Sequence, residues 1–265
     1  MRKLLNLVSG RKTLVGNILE ILKDWGSNLM MEWSREFRAD YEAIFQFKGK
    51  HAGETCVILC NGPSLNDVDF QKISPFVVFG MNRFYLLPEE KARAVDYCVV
   101  FNPLLLEQWP QDFEALNIPI FLRSSSRGLL ANRSQFFIHR RRGDFVRFQR
   151  NVARGVWKTP TVTFVALQLA YFMGFTRVIL VGADHEFQQK GKPGTLVTES
   201  SGDKNHFSPD YFGPGSKWQL PDLESSEDSY RKSRTAYEKS KREVLNATAG
   251  GRLEIFIRRA LEDVS

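Results

Sequence analysis

Short runs of consecutive apolar residues constrain this chain more than any other feature. They are Thr55-Cys-Val-Ile-Leu-Cys60, Phe76-Val-Val-Phe79, Tyr97-Cys-Val-Val-Phe101, Ile118-Pro-Ile-Phe-Leu122 and Arg177-Val-Ile-Leu-Val181. A run this short, with no polar alternation, fits a strand covered on both faces. Pro119 lacks a ladder donor, so the fourth run is expected at a sheet edge. Val162 to Met173 is apolar and long enough for a helix, with Gly174 to stop it. A polar helix is expected over 225–242, then a strand around Leu253–Ile257. Strands alternating with helices predict right-handed crossovers and an α/β, Rossmann-like fold, with a mostly parallel sheet flanked by helices.

The chain has 265 residues, 43% hydrophobic, which suffices for one large α/β domain. Residues 1–50 read as an amino-terminal helical extension and 51–265 as the Rossmann-like domain. Residues 188–222, rich in Gly, Pro and Ser, read as a lid-like segment. Cys56, Cys60 and Cys98 fall inside apolar runs, as reduced core thiols do, and their spacing is not that of a zinc site.

The net charge of +7 suits phosphorylated substrates, nucleic acid or an anionic membrane. The basic run His139–Arg142 is short and has no zinc-finger or basic-zipper context, so no nucleic-acid partner is expected. No cleavable leader and no span of about 18 apolar residues is visible, and a cytoplasmic location is expected. Leu14, Val15, Ile18, Leu22, Trp25 and Leu29 recur at helical spacing, with Lys12 and Lys23 nearby. Such a stripe packs on the parent domain, on a second copy in a homo-oligomer, or on an anionic membrane surface touched by residues 1–30.

The chemistry is expected where the strands end, because ligands of open α/β sheets bind outside the carboxyl ends. The first run leads into Asn61-Gly62-Pro63-Ser64-Leu65 and the second into Gly80-Met81-Asn82-Arg83. The third leads into Asn102-Pro103 and the Arg177 run into Gly182-Ala183-Asp184-His185. An Asn amide both donates and accepts, so it reads a base edge or a ribose hydroxyl without adding charge. The same Asn residues would also terminate strands and form Asx turns. Gly62 allows close backbone approach, and Ser64 offers a hydroxyl near a helix start, where phosphate binds. The Lys of a P-loop and the spacing of a dinucleotide fingerprint are both lacking. His206, in Asp203-Lys-Asn-His206, is the histidine of the long loop and a candidate general base. His185 is a second candidate, or a residue that orients Asp184.

Asn61-Gly-Pro-Ser-Leu, Met81-Asn-Arg-Phe-Tyr85, Phe101-Asn-Pro-Leu-Leu-Leu-Glu-Gln108 and Gly174-Phe-Thr-Arg-Val-Ile-Leu-Val-Gly-Ala-Asp184 stand in one order. That order resembles the bacterial CMP-sialic acid-dependent sialyltransferases of the Campylobacter type. It is also similar to the wider 6-hydroxymethylpterin diphosphokinase-like group, and Asn246-Ala-Thr-Ala-Gly-Gly251 looks more like that group. The resemblance covers about residues 54–215.

It implies that Asn61, Gly62, Pro63, Ser64, Asn82 and Asn102 hold a nucleotide donor, with Asp184 beside it and His206 as the base acting on an acceptor hydroxyl. No metal would be required. In place of the sialyltransferase tyrosines, Tyr211 or Lys204 would meet the phosphate. Thr159-Pro160-Thr161 replaces a Thr-Ser-Gly segment, so Thr161 is the expected donor contact there. The implied function is transfer of a sugar, of the acidic sialic-acid-like kind, from a nucleotide-activated donor to a hydroxyl acceptor in surface glycan biosynthesis. Two alternatives stay open. One is pyrophosphoryl transfer from ATP with Mg²⁺ on Asp184 and Asp203, Asp67 and Asp69 lying further off. The other is non-catalytic binding of a nucleotide-sugar.

Overall fold

A computed structural model describes residues 21–131, 134–189 and 191–264. The chain forms an eight-stranded sheet in the order β10-β9-β6-β1-β2-β3-β4-β5, and every neighbouring pair is parallel. The strands are β1 (Thr55–Leu59), β2 (Val77–Met81), β3 (Tyr97–Val100), β4 (Ile120–Arg123), β5 (Gln135–Ile138), β6 (Arg177–Val181), β9 (Glu243–Asn246) and β10 (Ile257–Arg258). The chain lays β1 to β5 in one direction, then returns to place β6 on the free side of β1. The strand order therefore reverses between β1 and β6, and a crevice forms at that point. The fold is the expected Rossmann-like α/β layout.

Period-two geometry explains why the apolar runs are continuous. Cys56 and Ile58 of β1 face one core cluster, and Val57 and Leu59 face the other. The first cluster is filled by helix α7 (Val162–Met173), which is buried almost all round, as its uniformly apolar sequence requires. Thr161 caps its start by accepting from Thr163 N, and Gly174, at φ 101°, takes the left-handed turn that ends it. Helix α8 (Leu223–Glu238) adds Tyr230 and Tyr237 on the same side.

Several expectations are corrected here. Strand β4 is interior, because β5 pairs beyond it; Pro119 is tolerated because it precedes the strand and its carbonyl accepts from Cys98 N (2.9 Å). The strand expected around Leu253–Ile257 is mostly loop, with Leu253 and Phe256 buried as plugs, and the ladder is carried by Glu243–Asn246. The amino-terminal segment, expected to be helical, is so over Arg35–Phe45 and packs on the rest of the chain. In helix α2 (Arg35–Phe45), Asp40 accepts from Arg127 through both oxygens (2.7 and 2.6 Å), and His139 Nε2 lies 2.7 Å from it. Phe37, Ile44 and Phe47 are buried beneath. Glu36, Asp40 and His139 could be grouped as metal ligands, but Arg127 already occupies both carboxylates.

Residues 21–33 are helical and leave Ile21, Leu22, Trp25, Met30 and Trp33 exposed. Leu14, Val15 and Ile18 of the stripe lie outside the described residues. Among the described residues, no helix is long and apolar enough to cross a membrane.

The segment 188–222 holds a hairpin, β7 (Leu196–Thr198) with β8 (Lys217–Gln219), that its sequence did not announce. Phe207, Tyr211, Phe212, Trp218 and Leu220 from this segment are buried in the second cluster. These side chains pack as a wall against the sheet.

Candidate functional site

A cavity of about 570 Å³ opens at the carboxyl ends of the central strands. Asn61, Gly62, Asn82, Asn102, Thr161, Asp184, His206 and Tyr211 all line it. The convergence expected from the strand ends is present, and its details differ from residue to residue.

Strands β1 and β6 stay paired past their ends, through Cys60 N to Val181 O (2.8 Å) and Gly62 N to Gly182 O (2.9 Å). That closeness requires the two glycines. A Cβ on Gly62 would overlap the Asp184 carboxylate and come within 2.7 Å of Gly182 O, and Gly182 has φ +70° with the Cys60 carbonyl against it. Asp184 accepts from Ser64 Oγ (2.7 Å) and lies 3.4 Å from Ser64 N. Ser64, the expected phosphate contact, thus donates its hydroxyl hydrogen bond to the chain's own carboxylate. The turn that follows, Pro63–Asp67, is a five-residue 3-10 segment instead of a helix. Neither Pro63 nor Ser64 lines the cavity, and Lys204 is exposed outside it.

The three asparagines differ. Asn61 donates to Met81 O and to the Tyr211 hydroxyl, both at 3.0 Å, so it ties β1 to β2 and to the wall. Asn82 sits at φ 50°, a left-handed conformation that Asn tolerates better than most residues. Asn61 Oδ1 and Asn82 Oδ1 are buried with no donor among the described residues. Such an orphan acceptor costs on the order of 1–3 kcal/mol. A ligand N–H or O–H seated against these strand ends would recover that cost. Asn102 acts as an N-cap, its Oδ1 accepting from Leu104 N (3.1 Å) at the start of helix α5 (Pro103–Gln108).

His206 is held by a carboxylate and by aromatic neighbours, Phe187 among them. Its Nδ1 lies 2.6 Å from Asp203 Oδ2, its ring stacks on Tyr211 (centroids 3.9 Å apart, planes 2° apart), and Phe212 meets it edge-on. Asp203 is itself buried and accepts from Asn205 N (2.7 Å). A carboxylate at Nδ1 fixes the proton on that nitrogen and leaves Nε2 with its lone pair. Burial pushes the Tyr211 phenol well up from its ordinary value, although Asn82 and Arg83 oppose the shift, so this hydroxyl stays neutral. Tyr211 is 1% exposed, which makes it a support for the imidazole more than a free phosphate ligand.

The wall carrying His206 is locked down. Phe207 N donates to Asn61 O (2.9 Å) and Asn66 Nδ2 to Phe207 O (2.8 Å). Arg83 donates to the carbonyls of Asp210 (2.8 Å) and Tyr211 (2.6 Å), and its guanidinium lies 3.8 Å over the Trp109 ring. Asp203 as the partner of His206 and Arg83 as the clamp were not foreseen. An Asp three residues before a loop His was the signal for the first, and the second had no local signal.

His185 also lines the cavity, at φ 54°. Desolvation lowers its pKa below the ordinary value, opposed by Glu227 at 3.5 Å, a separation too long for a hydrogen bond. Its buried Nε2 has no hydrogen-bond partner among the described residues, and it does not touch Asp184 through a hydrogen bond given by the geometry.

No family model matches the chain, and no curated protein sequence matches it. Among solved structures it is similar to the MAf glycosyltransferase from Magnetospirillum magneticum AMB-1, at 12% identity and a TM-score of 0.49. That likeness covers 86% of this chain and 39% of that chain, so this chain spans well under half of the other protein's length.

Proposed function

We propose that this protein is a glycosyltransferase that moves a sugar from a nucleotide-activated donor to an acceptor hydroxyl, with His206 as general base. The observation that carries the proposal is the buried Asp203 carboxylate on His206 Nδ1, with the imidazole at the wall of the strand-end cavity. An imidazole so oriented takes a proton at Nε2 from an acceptor hydroxyl as that oxygen attacks the anomeric carbon and the nucleotide departs. Asn61 and Asn82, with their unmatched acceptors, are the candidate nucleotide contacts. The resemblance of the strand-end motifs to CMP-dependent sialyltransferases supplies the donor class, a CMP-linked acidic sugar.

Pyrophosphoryl transfer from ATP would need carboxylates free for Mg²⁺. Asp203 is turned to His206 and Asn205, and Asp184 to Ser64, so each would first have to release its partners. In a purely binding protein the substitution His206→Ala would be silent. As general-base help contributes on the order of 10²–10⁴-fold, His206→Ala is expected to cut transfer from CMP-N-acetylneuraminate by that factor, with CMP binding by thermal shift unchanged. Retained transfer, or loss of CMP binding with it, would overturn the role.

A further inference from the structure

The cavity's remaining wall is basic, and neither the sequence motifs nor the proposed mechanism uses it. Arg123 closes β4, Arg140 follows β5, and Lys158 precedes α7; all three line the same cavity as Asn61 and His206. Short parallel bridges, Arg140 to Val156 and Val146 to Lys158, hold the last two segments side by side. Neither Arg123 nor Arg140 has a carboxylate partner or side-chain hydrogen bond among the described residues. Lys158 lies 3.4 Å from Asp144, a side chain that is 85% exposed and so a weak partner, and its charge also helps to hold the Asp222 carboxyl below its ordinary value. The cavity's acids, Asp184, Glu186 and Asp222, come instead from the β6 end and the approach to α8.

Arg123 is half-buried and Arg140 exposed, and no acid among the described residues pairs with either. Burial lowers the Arg123 pKa first and Arg140 lowers it further. Cationic side chains that line a cavity and find no internal partner are what a binding site for an outside anion looks like before it is filled. The start of α7, a helix of 12 residues, lines the same cavity and adds positive potential.

We propose that Arg123 and Arg140, assisted by Lys158, form a subsite for an anionic oxygen cluster of the substrate, a phosphate or a carboxylate. Guanidinium forks suit both groups through paired N–H donors. The proposal rests on the cavity being a substrate site and is independent of the role of His206. It places the anion at the β4–β5 end, away from Ser64, where sequence alone had put it.

The test is calorimetric titration of the full chain at low salt with inorganic pyrophosphate and, separately, with N-acetylneuraminate. The double variant Arg123→Gln/Arg140→Gln is compared with wild type and with Arg93→Gln, a surface change on a residue 77% exposed. Wild type and Arg93→Gln are expected to bind at least one anion, with salt-dependent affinity, and the double variant to bind it at least tenfold more weakly. Binding of pyrophosphate alone identifies the phosphate of the donor, and binding of the sialate alone identifies the carboxylate of a sugar. The double variant should unfold close to the wild-type temperature, because it strands no carboxylate. No binding by wild type, equal binding by the double variant, or an equal loss in Arg93→Gln would overturn the proposal. If the anion effect holds while His206→Ala retains transfer, the subsite stands and the general-base role falls.

Discussion

Asp203→Asn tests the site through one atom. Asp203 Oδ1 accepts from Asn205 N at 2.7 Å, a bond that an Asn side-chain carbonyl keeps, so the turn should survive. Oδ2, 2.6 Å from His206 Nδ1, becomes an NH₂ group. That group donates to Nδ1, so the imidazole proton moves to Nε2, which can then no longer accept one. Stacking on Tyr211 and the clamp from Arg83 hold the ring in place, so the fault is confined to the tautomer. Two costs follow. The fold loses a hydrogen bond to a charged group, about 1.5–3 kcal/mol. On the proposed general-base role of His206, transfer falls about 10²–10⁴-fold in kcat. The assay is the initial rate of CMP release from CMP-N-acetylneuraminate with a hydroxyl acceptor, at saturating donor, beside the thermal shift produced by CMP. A kcat within threefold of wild type, in a variant shown to be folded and to bind CMP, would refute the tautomer argument.

Two further outcomes are expected. Gly62→Ala drives a methyl into the Asp184 carboxylate and should cost about 1–3 kcal/mol, as overpacking does, and should lower CMP affinity; denaturant unfolding and titration check both. His185 has a folded pKa below its unfolded value near 6.5, so the unfolded state takes up the proton first as pH falls. Its contribution to stability is therefore complete above about pH 6.5 and is lost as the pH drops toward the folded pKa. His185→Asn, which suits φ 54°, should shrink the fall in Tm between pH 7 and pH 5, and an unchanged fall would show that burial of His185 is not the cause.

Strand identity was readable where burial leaves a mark. The apolar runs at 55–60, 76–79, 97–101 and 177–181 became four of the central strands, because a strand covered on both faces cannot hide polar residues. Gln135–Ile138 was missed because it is the edge strand, only half covered, and its short sequence carries no such mark. Glu243–Asn246 was missed because it opens with a charged residue straight after a polar helix. The asparagines at the strand ends were legible as a group, since topology alone brings such ends together. The His206–Asp203 pair was half legible, as the turn linking them is local while the Tyr211 stack depends on packing. The basic wall was hidden by the missed β5. Arg123 stands at a strand end as the asparagines do, but Pro119 gives its run the look of an edge, and Arg140 reads as part of a solvated run.

The return of the chain across β1 bears on how the protein is made. Until residues 177–181 emerge, β1 has a neighbour on one side only, and its other edge, Thr55–Leu59, offers a bare row of N–H and C=O groups on an almost wholly apolar strand. A nascent or truncated polypeptide ending short of Arg177 would carry the asparagines yet present a sticky template to other copies of itself. Translation arrest before that point should yield aggregates, and arrest after β9 should yield far fewer.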